Sequence, residues 1–169
     1  MSDTNQSGAA APGADAPKKA PPKSARRRAR EFAMQGIYQW QLTNDSVTSI
    51  EKFLRESSTS FVKADEALFR NLLVGALGGQ AHLTEALRPH VDRDLAEVSP
   101  VERAILLVGA QEIINMPETP YPVIINEAIE LAKTFGGADG HKFVNGVLDQ
   151  LAAVVRPAEV EAIRAKRQR

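Results

Sequence analysis

Cysteine is absent from all 169 residues, which removes disulfides, thiolate metal sites and cysteine nucleophiles from consideration. No apolar run approaches the roughly 20 residues that a membrane span requires. The N-terminus is polar and lacks the apolar core of a signal peptide, so a cytoplasmic, non-membrane protein is expected. Aromatic residues are scarce, at 5%, and the core must therefore rest on Leu, Ile, Val and Ala, a composition suited to helix-on-helix packing. No stretch alternates with a period of two and β-branched enrichment, the pattern a half-buried strand would show. Residues 1–23 contain no Val, Ile, Leu or aromatic residue at all. Such a segment buries too little apolar surface to offset its ordering entropy, and it reads as a disordered extension with a basic end.

What is present is helical periodicity from Ser24 onward. With 43% hydrophobic and 25% charged residues, the chain can bury the core of one domain. Ser24 is placed to cap a first helix reaching about Leu42, with Ala25, Ala29, Phe32, Ala33, Gly36, Ile37 and Trp40 on its inner face. Further helices are expected at about 47–56, with Val47, Ile50, Phe53 and Leu54 inward, at 63–77, and at 80–90, where Pro89 argues for an early end. Ser99-Pro100 opens a strongly apolar helix ending before Pro117. The helix after Pro120-Tyr121-Pro122 is apolar over most of its circumference and is expected to be central and buried, ending at Gly136-Gly137. Asp139 starts another, which stops at Pro157. The fold class is all-α: about seven helices arranged as two small helical subdomains. The halves span about 24–90 and 99–157, joined by the hydrophilic stretch 89–99, and 158–169 reads as a short basic tail, a frayed helix with a basic tip.

The formal net charge is +0, but the charge is unevenly distributed. Lys18, Lys19, Lys23, Arg26, Arg27, Arg28 and Arg30 cluster near the N-terminus, while residues 31–155 hold 17 acidic and 9 basic side chains, a balance of −8. A basic head suits phosphate and an acidic body suits a basic protein. At helical spacing Arg26, Arg27 and Arg30 share one arc of the first helix, Tyr38 lies just beyond that arc two turns on, and Arg28 projects elsewhere. A charge run is usually a solvated face. Here, however, the cations sit at a helix N-terminus, where each opposes the macrodipole by about 0.3–1 kcal/mol. That placement favours an anionic ligand, met by a solvent-facing guanidinium ladder with a phenol at its end.

Candidates for catalysis are weak. His82 and His90 have no third ligand arranged with them, and Glu127 and Glu130 beside Lys133 read as surface ion pairing rather than a carboxylate pair. Gly136-Gly137 lacks the lysine and spacing of a phosphate loop. Asn126 and Asn145 read as interhelical or helix-to-backbone hydrogen bonders. No enzyme, metal or cofactor is expected.

Three segments carry a resemblance to a known family. They are Ala25-Arg26-Arg27-Arg28-Ala29-Arg30-Glu31 with Gln35, Tyr38 and Gln41-Leu42; Val101-Glu102-Arg103-Ala104-Ile105-Leu106; and the run from Pro122 through Val147 to Asp149. In order and spacing the chain resembles the NusB family of transcription antitermination factors from about residue 23 to 157. The resemblance implies an all-helical, non-enzymatic protein that binds single-stranded boxA-type RNA of ribosomal leader transcripts. It also implies the ribosomal protein NusE as partner, within the RNA polymerase antitermination complex. Arg26, Arg27, Arg28, Arg30, Gly140, Lys142 and Phe143 match RNA-facing positions; Tyr38 and Glu102 match the partner-facing side. The chain departs from the family pattern at Leu107 and Gln111, where an arginine and a tyrosine are usual, and in its N-terminal extension. Two other readings remain: an accessory domain of an RNA cytosine methyltransferase, which would need a further α/β domain, and a helix-turn-helix DNA regulator. The basic residues argue against the second, because they sit at the first helix rather than on a recognition helix.

Overall fold

One helix with almost no polar side organises the molecule. In the computed structural model, which describes residues 23–168, α5 (Pro100–Asn115) is buried continuously from Ala104 to Ile113. Ser99 caps it by accepting from the Glu102 amide, and Pro100 occupies its first turn, where a missing N–H costs nothing. Around it pack α1 (Ala25–Thr43), α3 (Glu66–Gly78), α4 (Gln80–Leu87), α6 (Tyr121–Phe135) and α7 (Gly140–Val155). The short α2 (Val47–Ser57) lies on α1, and α8 (Pro157–Arg167) lies on α7. The described residues contain eight α-helices and no strand, one more helix than the expected seven or so. The extra one is α8, which is anchored through buried Val160.

Three differences from the sequence reading have physical causes. The central helix is α5, not α6, because α6 turns Val123, Asn126, Glu130 and Lys133 to solvent. Phe53 on α2 is 56% exposed although it falls at an apolar position. The third helix starts at Glu66 rather than Lys63, since Asp65 caps it and a 3-10 turn, Thr59–Lys63, precedes it. That turn brings Phe61 to rest between Phe32 and Phe69, at ring distances of 5.0 and 4.9 Å, so part of the small aromatic content forms one buried stack. At Gly109 a Cβ would meet Leu148 at 2.6 Å; the missing side chain lets α7 approach α5. Residues 1–22 lie outside the described part, and the expected extension lies there except for Lys23.

The two expected halves share one hydrophobic core. Side chains also tie early to late sequence. Gln41 donates to the Pro100 carbonyl at 3.0 Å, while Arg30 reaches Glu112. Helix α1 therefore runs antiparallel to α5, with its N-terminus at the far end of α5. The C-terminus of α5 is closed by Arg156, which is 9% exposed. Its guanidinium donates to the carbonyls of Glu112, Ile113, Met116 and Thr119 at 2.6–3.0 Å. The Glu112 and Met116 carbonyls also accept from the Met116 and Thr119 amides, whereas Ile113, four residues before Pro117, has no helical N–H to accept from and depends on Arg156.

Candidate nucleic-acid interface

The arginine cluster sits at the start of α1, where Ser24 caps the helix by accepting from the Arg27 amide at 3.0 Å. Its four members have different surroundings. Arg26 is exposed, Arg28 is half-buried, and neither has a carboxylate partner among the described residues. Arg27 is partly exposed and holds Glu127 of α6 in a two-point contact at 2.9 and 3.0 Å. The Glu127 hydrogen bond raises the Arg27 pKa further, against the opposing effect of burial. Lys23 pairs with Glu31 at 2.7 Å.

Arg30 corrects the reading of a solvent-facing ladder. Its side chain is 4% exposed and its guanidinium forms a two-point pair with buried Glu112 at 2.8 and 2.9 Å. Desolvation pulls its pKa down, yet the hydrogen bonds and charge of Glu112 more than offset it and hold the group charged. The reason lies in its neighbours: Ala33, Met34 and Ile37, three, four and seven residues on, are all buried, so Arg30 stands on the inner face. Glu127 is likewise not spent on Lys133, which lies 4.0 Å from Glu130 instead.

The second group of expected residues lies elsewhere. Tyr38 is 37% exposed on the later half of α1, 12 positions from Arg26 and hence about 18 Å along the axis. The Gln41–Pro100 contact sets that end of α1 against the start of α5. There Glu102 accepts from the Ser99 hydroxyl at 3.0 Å and lies against the start of α7. Gly140 is buried at this point, and a Cβ on it would collide with the Glu102 carboxylate. Its part is to admit Glu102 rather than to present a contact of its own. Lys142 is exposed and lies 3.6 Å from Asp139. Phe143 is half-buried, packed on the core by one side. The structure thus brings Glu102, Gly140 and Phe143 together around one open concavity of about 290 Å³. None of the four arginines lines it, although Lys23 and Arg27 line a neighbouring concavity that reaches Thr134 and Phe135 at the end of α6.

The sequence reading passed over Arg93. Its guanidinium carbon stands 4.7 Å above the Phe143 ring centre, and it lines the same concavity. Between Asp92 and Asp94 in a hydrophilic joint it looked like a solvated linker residue, and local sequence carries no signal of a ring fifty positions away. Leu107 and Gln111, the two departures from the family pattern, are buried. Gln111 donates to the Asn71 side chain at 3.1 Å and accepts from Asn115 at 2.8 Å. Asn126 and Asn145, read as hydrogen bonders in apolar surroundings, are instead exposed. No helix among the described residues is long and apolar enough to cross a membrane.

Comparison with known proteins bears on the family and the fold. The family model described as "NusB family" matches residues 27–153. The transcription antitermination protein NusB of Chromobacterium violaceum is 61% identical over 146 residues, covering 86% of this chain and 97% of its own. That of Laribacter hongkongensis is 59% identical over 145 residues, with 86% and 87% covered. The Cupriavidus pinatubonensis protein is 53% identical over 168 residues, with 97% and 100% covered; so long a match takes in most of the residues ahead of Ser24. Among solved structures, T. maritima NusB superposes with a TM-score of 0.69 at 27% identity, covering 82% of this chain and 99% of that one. A NusB solved with NusE and double-stranded RNA also has a TM-score of 0.69, at 23% identity, covering 77% and 97%; it shares the fold. The aligned helices, the arginine-bearing first helix and the extent of these matches lead to one assignment: the chain belongs to the NusB family of transcription antitermination proteins.

Proposed function

We propose that this protein binds boxA-type RNA together with a NusE-type ribosomal protein, and so supports read-through by RNA polymerase in the cytoplasm, without catalysis of its own. The observation that carries the RNA half is that Arg26 and Arg28 remain without carboxylate partners among the described residues at a helix start. Cations placed there oppose the helix dipole unless an anion joins them. Lys142 and Phe143 add a cation and an aromatic face at the start of α7, suited to stacking an unpaired base. The expected contacts are Arg26, Arg27, Arg28, Lys142 and Phe143, with Arg27 leaving Glu127 to take part.

Titrating one labelled oligonucleotide as single-stranded RNA, as RNA duplex and as DNA duplex, each at several salt concentrations, tests the reading. Tightest binding to the single strand supports it; equal or tighter binding to duplex DNA overturns it.

The partner half rests on the −8 balance of residues 31–155, which stays negative after Glu31, Glu112 and Glu127 are matched with Lys23, Arg30 and Arg27; RNA alone avoids such a balance and a basic protein neutralises it. Tyr38 and Glu102 are the proposed docking residues. Linkage makes the coupling reciprocal: the partner tightens RNA binding by the factor by which RNA tightens partner binding. Glu102→Lys is expected to weaken the NusE-type partner while the RNA affinity of the isolated protein is unchanged or slightly higher, since the replaced carboxylate lines the α7 corner. Normal partner binding by that variant removes Glu102 from the docking face.

A further inference from the structure

Phe143 stands between two open concavities on the outer side of α7. One, of about 290 Å³, is lined by Arg93, Glu102 and residues 137–140. The other, of about 240 Å³, is lined by His90, Asp92, Lys142, Gly146, Val147 and Gln150. Nothing lies within 4 Å of where a Gly146 Cβ would be, so the helix offers open floor beyond the ring. The exposed face of the ring is already occupied, because the Arg93 guanidinium covers it at 4.7 Å. A base stacks on an aromatic ring at a similar separation, so base and guanidinium compete for one seat.

Little holds Arg93 there. Its other partner is the adjacent Asp92, at 3.1 Å, and both side chains are well exposed. Exposed ion pairs and exposed cation–π contacts are each weak. The electrostatics of the corner also need Arg93. Asp92, Glu102 and Asp139 line the two concavities, against Arg93 and Lys142 as the only Arg or Lys side chains lining them. A phosphate crossing this surface depends on those two cations.

We propose that Arg93 is an RNA-binding latch. In the free protein it lies on Phe143; when a single strand arrives, an unstacked base takes its place on the ring, and the released guanidinium closes on the phosphate of that nucleotide. The inference rests on the RNA-binding reading above and adds the residue that moves. It also accounts for a preference for unpaired strands, because a base held in a duplex cannot take the seat.

The test is equilibrium binding of the full chain to a labelled single-stranded RNA over a range of salt, for wild type, Arg93→Ala, Arg93→Lys, Phe143→Ala and the Arg93→Ala/Phe143→Ala double variant. Arg93→Ala is expected to weaken binding about three- to tenfold and to make the log–log salt slope shallower by about 0.7, the loss of one phosphate contact on a single strand. Arg93→Lys keeps the charge and should keep the slope. The double variant should lose little beyond Phe143→Ala, since the phosphate contact depends on a base seated on the ring. Arg93 is exposed, so unchanged thermal melting accompanies these effects. Phe143→Ala weakened while Arg93→Ala keeps both affinity and slope overturns the latch and leaves RNA binding at this corner intact. Fully additive losses also overturn it, by making Arg93 and Phe143 independent. A wild-type protein that does not bind RNA overturns the latch and the functional reading together.

Discussion

The start of α1 holds four arginines and the start of α7 a single lysine, yet each surface offers two cations that no buried or interhelical carboxylate holds. At α1, Glu112 takes Arg30 completely and Glu127 takes Arg27, which leaves Arg26 and Arg28. At α7, Lys142 and Arg93 stand beside only exposed acidic neighbours, Asp139 and Asp92. The same residue type thus does opposite things within one helical turn. Arg30 joins two helices in the interior, and Arg26 points to water. A charge cluster in a sequence sets an upper bound on a binding surface; what remains after internal pairing is the surface itself.

The sharpest way to break this comparison is to treat Arg30 as an RNA ligand. Arg30→Ala leaves Glu112 buried and unpaired, which costs about 3–5 kcal/mol. Thermal or urea unfolding should show that loss directly, and a stable Arg30→Ala protein with impaired RNA binding would return Arg30 to the interface. Replacing both partners with apolar residues, Arg30→Met with Glu112→Leu, should recover much of the stability.

Phe143→Ala comes next. Because Phe143 is half-buried, the expected loss is about 1–3 kcal/mol in RNA affinity with a smaller loss of stability, read by titration and by melting on the same sample. A drop in stability near the 3–5 kcal/mol of a fully buried phenylalanine would place it in the core instead.

At the other surface, Arg26→Ala with Arg28→Ala should flatten the RNA salt slope by about 1.4, two phosphates' worth. Stability should hold or rise slightly, since two cations leave a helix N-terminus. An unchanged slope would confine RNA binding to the α7 corner.

These variants also show what the sequence could reveal. Helix starts were legible because local chemistry sets them: Ser24, Ser46 and Ser99 each cap a helix through a hydroxyl. The inward setting of Arg30 was legible too, since Met34, four residues on, extends the inner face that Ala33 and Ile37 already mark. Its partner was not, because Glu112 is 82 positions away and helical spacing says nothing about which helix comes alongside. The same limit hid Arg93 on Phe143 and misplaced the central helix, since only tertiary packing decides between α5 and α6.

The smallest effect lies away from both surfaces and serves as their control. Arg55 above all, then Arg70, hold the Glu51 carboxyl below the usual carboxylate range despite partial burial. Its stabilising effect is therefore present at neutral pH and lost as pH falls from that range through the lowered folded value. Glu51→Gln should cost about 0.2–1 kcal/mol at neutral pH and flatten the acid limb of stability, with no change in RNA binding. An unaltered acid limb would mean that the pair contributes nothing.

Glu112 has a second role, in time rather than in space. Its carboxylate holds Arg30 near the beginning of the chain, and its carbonyl is held by Arg156 near the end. During synthesis, at about 5–20 residues per second, the Arg30 guanidinium has no buried carboxylate partner until Glu112 has emerged. The end of α5 stays open until Arg156 follows. The closure of α5 therefore waits on Arg156, and a chain cut short before it lacks the group that closes its central helix.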